Sequence, residues 1–369
     1  MNKKDRVKKT LDHTEPDMVP ITEMAIEPVH LERITQTKLI GESSLQTQVS
    51  ADRRAEANAI AATVLTYQKL GFELLPCELS APDGWKPRKN PDGTIVDEWG
   101  RILSHDTKCR TWVPTGSIFT SSEDFERFPL TDPDAPGWMF AIEEMRRRIG
   151  DEMTLGGFIR DPFACAWEIF KINDFVRSLY EKPSFLQRVI ESVTDFNIEI
   201  IKQIADAKVD FILSGGDYAE KKGPLVPPKF FKDVVFPNLR RQVEVAHRAG
   251  LKFIKHSDGN LNPILDDLAN IVDGLHSLDP SAGMDIGDVK RRYGDRLVLI
   301  GNVSVDNLCR KTKKEIIEET KGCLRKAGPG GGYILSSSNS WYTDAKLENC
   351  LAMVNAGRKY GRYPMSTRD

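Results

Sequence analysis

Eight short apolar or β-branched segments recur along this chain, each followed by polar or glycine residues, and their number and spacing constrain the fold more than any other feature. They lie at 18–23, 71–79, 152–158, 209–215, 251–256, 273–277, 297–301 and 332–337. Helical stretches separate them: 48–70 is alanine-rich and stops at Gly71, 187–208 carries Ile190, Val193, Ile198 and Ile201, and 344–360 sets Leu347, Leu351 and Val354 on one face. Strands that alternate with helices build a parallel sheet, and eight of them close a barrel. The later connections, 262–269, 285–293 and 313–326, are compact and regular, which favours a (β/α)8 TIM barrel over an open doubly wound sheet. One such barrel over residues 1–369, with an insertion at about 80–130, accounts for the length.

The insertion holds Trp85, Trp99, Trp112 and the turn Asn90-Pro91-Asp92-Gly93, the pattern of a small β-hairpin. It either caps the barrel mouth or packs its aromatics onto the barrel wall. No GxGxxG or GxxxxGK[ST] fingerprint opens a helix, and the run Gly328 to Gly332 precedes a strand, so it reads as a helix-to-strand turn rather than a phosphate cradle.

Composition narrows the partners. Lys and Arg number 52 against 54 Asp and Glu, with no long run of one sign, so neither a nucleic-acid footprint nor a membrane-attracted surface is expected. The charged start Met1-Asn2-Lys3-Lys4 leads into no apolar targeting region, and no stretch approaches the roughly 20 apolar residues of a membrane span, so a cytoplasmic protein is expected. Cys77, Cys109, Cys165, Cys309, Cys323 and Cys350 show no CxxC spacing, which argues for reduced core thiols over a disulfide framework or zinc knuckle.

A barrel keeps its chemistry at the carboxyl ends of its strands. Those ends offer Glu23, Arg160 with Asp161, Asp217 with Tyr218, His256 with Asp258, His276, Asn302, and Ser336 to Asn339. A lone strand-end histidine such as His276 is as readily a hydrogen-bonded structural residue. His256-Ser257-Asp258-Gly259 is the strongest unit: a spacing of two on extended chain aims imidazole and carboxylate to one side, and Gly259 admits a close approach of ligand or backbone. The pair suits general acid catalysis, or half of a metal site in which zinc takes a third ligand from another strand.

Several motifs in order give the chain a likeness that spans nearly its whole length. They are Arg6-Val7 through Glu15-Pro16-Asp17-Met18-Val19-Pro20, Gly215-Gly216-Asp217-Tyr218-Ala219, His256-Ser257-Asp258-Gly259-Asn260, Asp273-Gly274-Leu275-His276 with Gly283-Met284-Asp285, Tyr293-Gly294-Asp295-Arg296 with Gly301-Asn302-Val303, and Gly331 to Ser336. In these the chain resembles the uroporphyrinogen decarboxylase superfamily, and within it the corrinoid-dependent methyltransferase branch. The resemblance implies a TIM barrel, commonly a homodimer, with its pocket at the strand carboxyl ends. Decarboxylases of the family carry R-Q-A-G-R-Y after their first strand, whereas this chain has Glu23-Met24-Ala25-Ile26-Glu27-Pro28. Thiol-activating methyltransferases hold zinc with His-x-Cys and a later cysteine; here His256 matches, but Asp258 and Asn339 stand where the two cysteines would be.

What remains resembles the methyltransferase component of O-demethylase systems, which passes a methyl group from a methoxylated aromatic to the Co(I) of a separate corrinoid protein. No Asp-x-His-x-x-Gly cobalamin motif occurs, so the corrinoid is expected on a partner protein. On this likeness His256 and Asp258 serve the leaving oxygen, alone or around zinc. Glu23, Asp217, Tyr218, His276, Asn302 and Asn339 would orient the donor, and Trp341 and Tyr342 stack on its ring. The alternative is a decarboxylase of a small or tetrapyrrole acid, with Arg160 holding a carboxylate.

Overall fold

The computed structural model of the protein describes residues 1–40, 52–108, 110–119, 122–170 and 172–365. Seven parallel strands form one curled sheet: β1 Leu74–Cys77, β2 Thr154–Arg160, β3 Phe211–Gly215, β4 Lys252–Ser257, β5 Gly274–Ser277, β6 Val298–Val303 and β7 Tyr333–Ser337, paired in chain order. The expected first strand, 18–23, forms no regular strand. It makes an isolated parallel bridge through Ile21 to Leu335 of β7, while Glu73, beside β1, donates its backbone N–H to the Ile21 carbonyl at 3.1 Å. That segment spans the gap between β7 and β1, so the barrel closes with seven strands and one irregular stave.

Side chains alternate as a period of two demands. Leu74, Phe211, Leu213, Ile254, Val298, Ile300 and Ile334 fill the barrel interior, and Val7 and Leu11 of the helix Lys3–Leu11 pack into the same cluster. Their neighbours Leu75, Leu155, Ile212, Phe253, Leu275, Leu299 and Leu335 join the larger core shared with the surrounding helices. The predicted helices sit at Arg53–Leu70, Pro183–Asp206 and Leu347–Tyr360. The first is opened by Asp52, whose side chain accepts from the Arg54 and Ala55 N–H groups, and is ended by Gly71 at φ 67°. Residues 48–51 of that predicted helix, and Cys109, lie outside the described residues. The other five cysteines are free.

The insertion is a four-stranded antiparallel sheet of Arg88–Lys89, Ile95–Val96, Arg101–Asp106 and Thr111–Ser117. Its first hairpin turns at the Asn90 to Gly93 motif, with the Asn90 N–H donating to the Thr94 carbonyl at 2.9 Å. No helix among the described residues is long and apolar enough to cross a membrane.

Candidate functional site

Register puts the two strand-end histidines side by side. His256 of β4 pairs with His276 of β5, and their Nδ1 atoms stand 2.7 Å apart. One ring must donate and the other accept. When His256 donates, its Nε2 keeps a lone pair directed away from His276, and that atom lies 3.9 Å from Asp217 Oδ1. Burial depresses the His256 pKa to about 4, with Lys255 and Arg160 adding to the effect against Asp217, so the ring is neutral at ordinary pH.

Asp258 follows one residue beyond β4. Ser277 Oγ donates to its Oδ1 at 2.6 Å and Asn339 Nδ2 to its Oδ2 at 2.5 Å, while its backbone N–H donates to Asp217 Oδ1 at 2.8 Å. Burial first, and the charge of Asp217 second, push the Asp258 carboxyl up to about 7, against those two side-chain donors. Gly259 then turns the chain at φ 85°, where a Cβ would stand 2.4 Å from the Ala219 carbonyl; the glycine serves a close approach of backbone, not of ligand.

These groups open onto a cavity of about 290 Å³ at the carboxyl ends of the strands. Asp217, His256, Asp258, Asn339 and Tyr342 line it, together with an apolar wall that includes Met24, Ile26 and Phe158. Trp112, Val113 and Pro114 of the insertion complete the enclosure, so the inserted sheet is a cap. Ligand atoms of Asp217, His256 and Asp258 all lie within 4.8 Å of one another. One imidazole and two carboxylates are a donor set that suits zinc or a similar divalent ion, and a histidine whose second nitrogen is tied to another ring is oriented as metal-binding histidines are. The residues fit a metal.

Other expected substrate contacts do not reach this cavity. Glu23 is fully buried beneath it, accepting from Ser337 Oγ at 2.8 Å, Met24 N at 3.1 Å and Ser337 N at 3.2 Å. Tyr218 is fully buried and gives its hydroxyl to Asp161 Oδ2 at 2.7 Å, beside the buried Lys255. Asn302 donates to the Leu278 carbonyl at 2.8 Å, and His276 sits behind His256. Trp341 packs edge-on against Phe72 and His30, leaving Tyr342 alone of that pair in the lining. Three charged residues not singled out from sequence do line the cavity, Glu78 just after β1, Arg101 of the cap and Glu168, and Arg160 completes that charged wall. Glu78 obeys the same strand-end rule as the others and was findable by it; Arg101 comes from the insertion, whose side-chain directions no barrel rule fixes.

The fold and this site define a TIM barrel with an imidazole and paired carboxylates under a cap. The uroporphyrinogen decarboxylase (URO-D) family profile matches residues 113–360, and the chain belongs to that family. It is 25% identical over 254 residues to the uroporphyrinogen decarboxylase of Methylococcus capsulatus, covering 64% of this chain and 69% of that one. It is 24% identical over 272 residues to methylcobamide:CoM methyltransferase MtaA of Methanosarcina barkeri, covering 72% and 77%. Among solved structures, a methyltransferase from Methanosarcina mazei superposes with a TM-score of 0.75 at 21% identity, over 98% of this chain and 99% of that one, which shows the shared fold.

Proposed function

We propose that this protein transfers a methyl group from a small O-methyl donor, a methoxylated aromatic, to the Co(I) of a separate corrinoid protein. The observation that carries the reading is the grouping of Asp217, His256 and Asp258 on one wall of a capped cavity that also presents an aromatic and apolar surface, Met24, Ile26, Trp112, Phe158 and Tyr342, beside its charged wall. The MtaA relative, a methyltransferase of methylcobamide by name, supports it. So does the run Met24 to Ile26, which lines the cavity where the decarboxylases carry arginines. We place the chain in the cytoplasm, and we read it as a homodimer, whose mass light scattering on the purified protein tests.

In this reading Trp112 and Tyr342 position the donor ring, and the cap excludes water from the ether. Co(I) attacks the methyl carbon, the C–O bond breaks, and the electron pair stays on the departing oxygen. Asp258, whose carboxyl still holds a proton near neutrality, gives that proton to the leaving oxygen and is left ionised beside Ser277 and Asn339. His276 holds the His256 ring in place, and Asp217 anchors the Asp258 backbone. With a zinc ion held by Asp217, His256 and an ionised Asp258, the ion would supply Lewis-acid polarisation of that oxygen in place of the Asp258 proton.

Incubation with a reduced corrinoid protein and a methoxyarene is expected to give the methyl-Co(III) spectrum. His256→Ala and Asp258→Asn are each expected to slow its appearance by about 100-fold or more. No spectral change with any of a panel of methoxyarenes, or variants as fast as the parent, would overturn the assignment.

A further inference from the structure

Turns are ordinarily surface features, because their backbone groups need water. The turn Asp97 to Gly100 at the tip of the cap is instead buried: Asp97, Glu98 and Trp99 are 4%, 7% and 7% exposed. Asp97 Oδ1 accepts from the Trp99 and Arg101 N–H groups at 3.0 and 2.8 Å, and its Oδ2 accepts from Arg101 Nε at 2.5 Å, so the tip is held in one shape. It faces a second cavity of about 60 Å³ that shares Glu78, Arg101, Phe158 and Arg160 with the larger one.

The ion pairs around this chamber leave carboxyl groups over. Glu168 bridges Arg101 and Arg160, and Asp97 pairs with Arg101, so the guanidiniums are already committed. Glu78 and Glu98 are left over, and Glu98 Oε2, on a side chain more than nine-tenths buried, has no hydrogen-bond partner among the described residues. A buried acceptor without a donor is costly, and the chamber is large enough to hold one. The remaining walls are mostly aromatic, with Leu79 and Asn197 beside them: Trp99 and Trp138 both pack edge-on against Phe196, with ring centroids 5.0 and 5.5 Å away. Metal ions of the hard kind seek several oxygens, whereas a largely aromatic chamber in which Glu98 Oε2 is the one unpartnered buried side-chain oxygen among the described residues that line it suits an organic cation.

We propose that this chamber binds a small organic ammonium group, about the size of methylammonium, between Glu98 and the aromatic wall of Trp99, Trp138 and Phe196. The cation arrives either free or as the ammonium end of a larger ligand that lies in the adjoining cavity. Burial and the neighbouring Asp97 raise Glu98 to about 8, so the bound cation takes the place of a proton. The inference rests on the chamber and not on methyl transfer, and the two fail separately.

Methylammonium chloride is titrated into the full-length protein and followed by the fluorescence of the chamber tryptophans and by calorimetry, with methanol and sodium acetate as neutral and anionic controls. Saturable binding of methylammonium alone is expected, weakened at least tenfold by Glu98→Gln and left intact by His256→Ala. Binding of 3-methoxybenzylammonium at least tenfold tighter than both methylammonium and 3-methoxytoluene assigns the cation to the end of a larger ligand; no such gain assigns it to a free amine. Absence of saturable ammonium binding by the wild type, equal response to methanol, preference for acetate, or binding undiminished in a folded Glu98→Gln protein would overturn the proposal. Should Glu98→Gln fail to fold, the wild-type comparison of methylammonium with methanol decides.

Discussion

Glu23 stands at the end of the first apolar segment, where a barrel usually shows a substrate contact, yet its oxygens are consumed by Ser337 and Met24. Complete burial outweighs those donors and lifts its pKa from 4.5 to about 8. Between those values the unfolded chain has released a proton that the folded protein retains, so this group lowers stability as pH rises from about 5 to 8, and the loss levels off above that. Glu23→Gln carries no such proton. Urea unfolding at pH 5 and pH 8 is therefore expected to show the variant gaining on the parent by on the order of 2 kcal/mol across that interval; parallel pH curves would refute it. The same residue shows why part of the site was hidden in the sequence. Strand-end position was legible for Glu23, Asn302 and His276 as for His256 and Asp258, but which of these side chains reaches the cavity is set by neighbours on other strands: His276 is in register with His256 yet stands behind its ring, and Asn302 turns to the Leu278 carbonyl. Tyr342 and Trp341 make the case at adjacent positions: one lines the cavity and the other fills the core.

At the scale of elements, the apolar runs exposed the parallel sheet because a strand covered on both faces must be apolar along its length. They did not show that the segment 18–23 joins by a single bridge. Its anchor is a long-range polar cluster: Glu73 accepts from Ile21 N at 2.8 Å and from Arg6 Nη1 at 2.9 Å, and Arg6 also clasps Asp17 through two bonds of 2.8 Å. Arg6→Ala would leave Glu73 buried and uncompensated under the closing stave, with an expected loss of about 3 kcal/mol in equilibrium unfolding. A loss within about 0.5 kcal/mol would mean that apolar packing alone closes the barrel. The cap was legible as a hairpin from Asn90 to Gly93, while its role came from contacts across more than a hundred residues. Trp112 is its aromatic contribution to the larger cavity, so Trp112→Ala is expected to raise KM for an aromatic donor about tenfold while changing kcat less. Steady-state kinetics at saturating corrinoid protein measure both, and an unchanged KM would remove the cap from donor binding.

For the whole molecule, family membership leaves two chemistries open, and the enclosed space discriminates between them. A cavity of about 290 Å³ lies at the small end of ligand pockets, which run from about 300 to 1,000 Å³. A single methoxylated ring suits that space; a tetrapyrrole with a carboxylate on every arm does not, unless the whole cap swings away. Charge argues the same way. The cavity wall carries Arg101 and Arg160, but Glu168 bridges both, and Glu78, Asp217 and Asp258 add further acids, so no surplus of cations awaits a polyanion. Removing Glu168 would free Arg160, leave Arg101 paired with Asp97 alone, and shift that balance. Uroporphyrinogen incubated anaerobically with the purified protein is therefore expected to be recovered intact by chromatography, under conditions where an authentic decarboxylase converts it fully. Appearance of partially decarboxylated porphyrinogens at a rate proportional to this protein would show that the cap opens far enough to admit the larger substrate, and would move the chain to the decarboxylase side of its family.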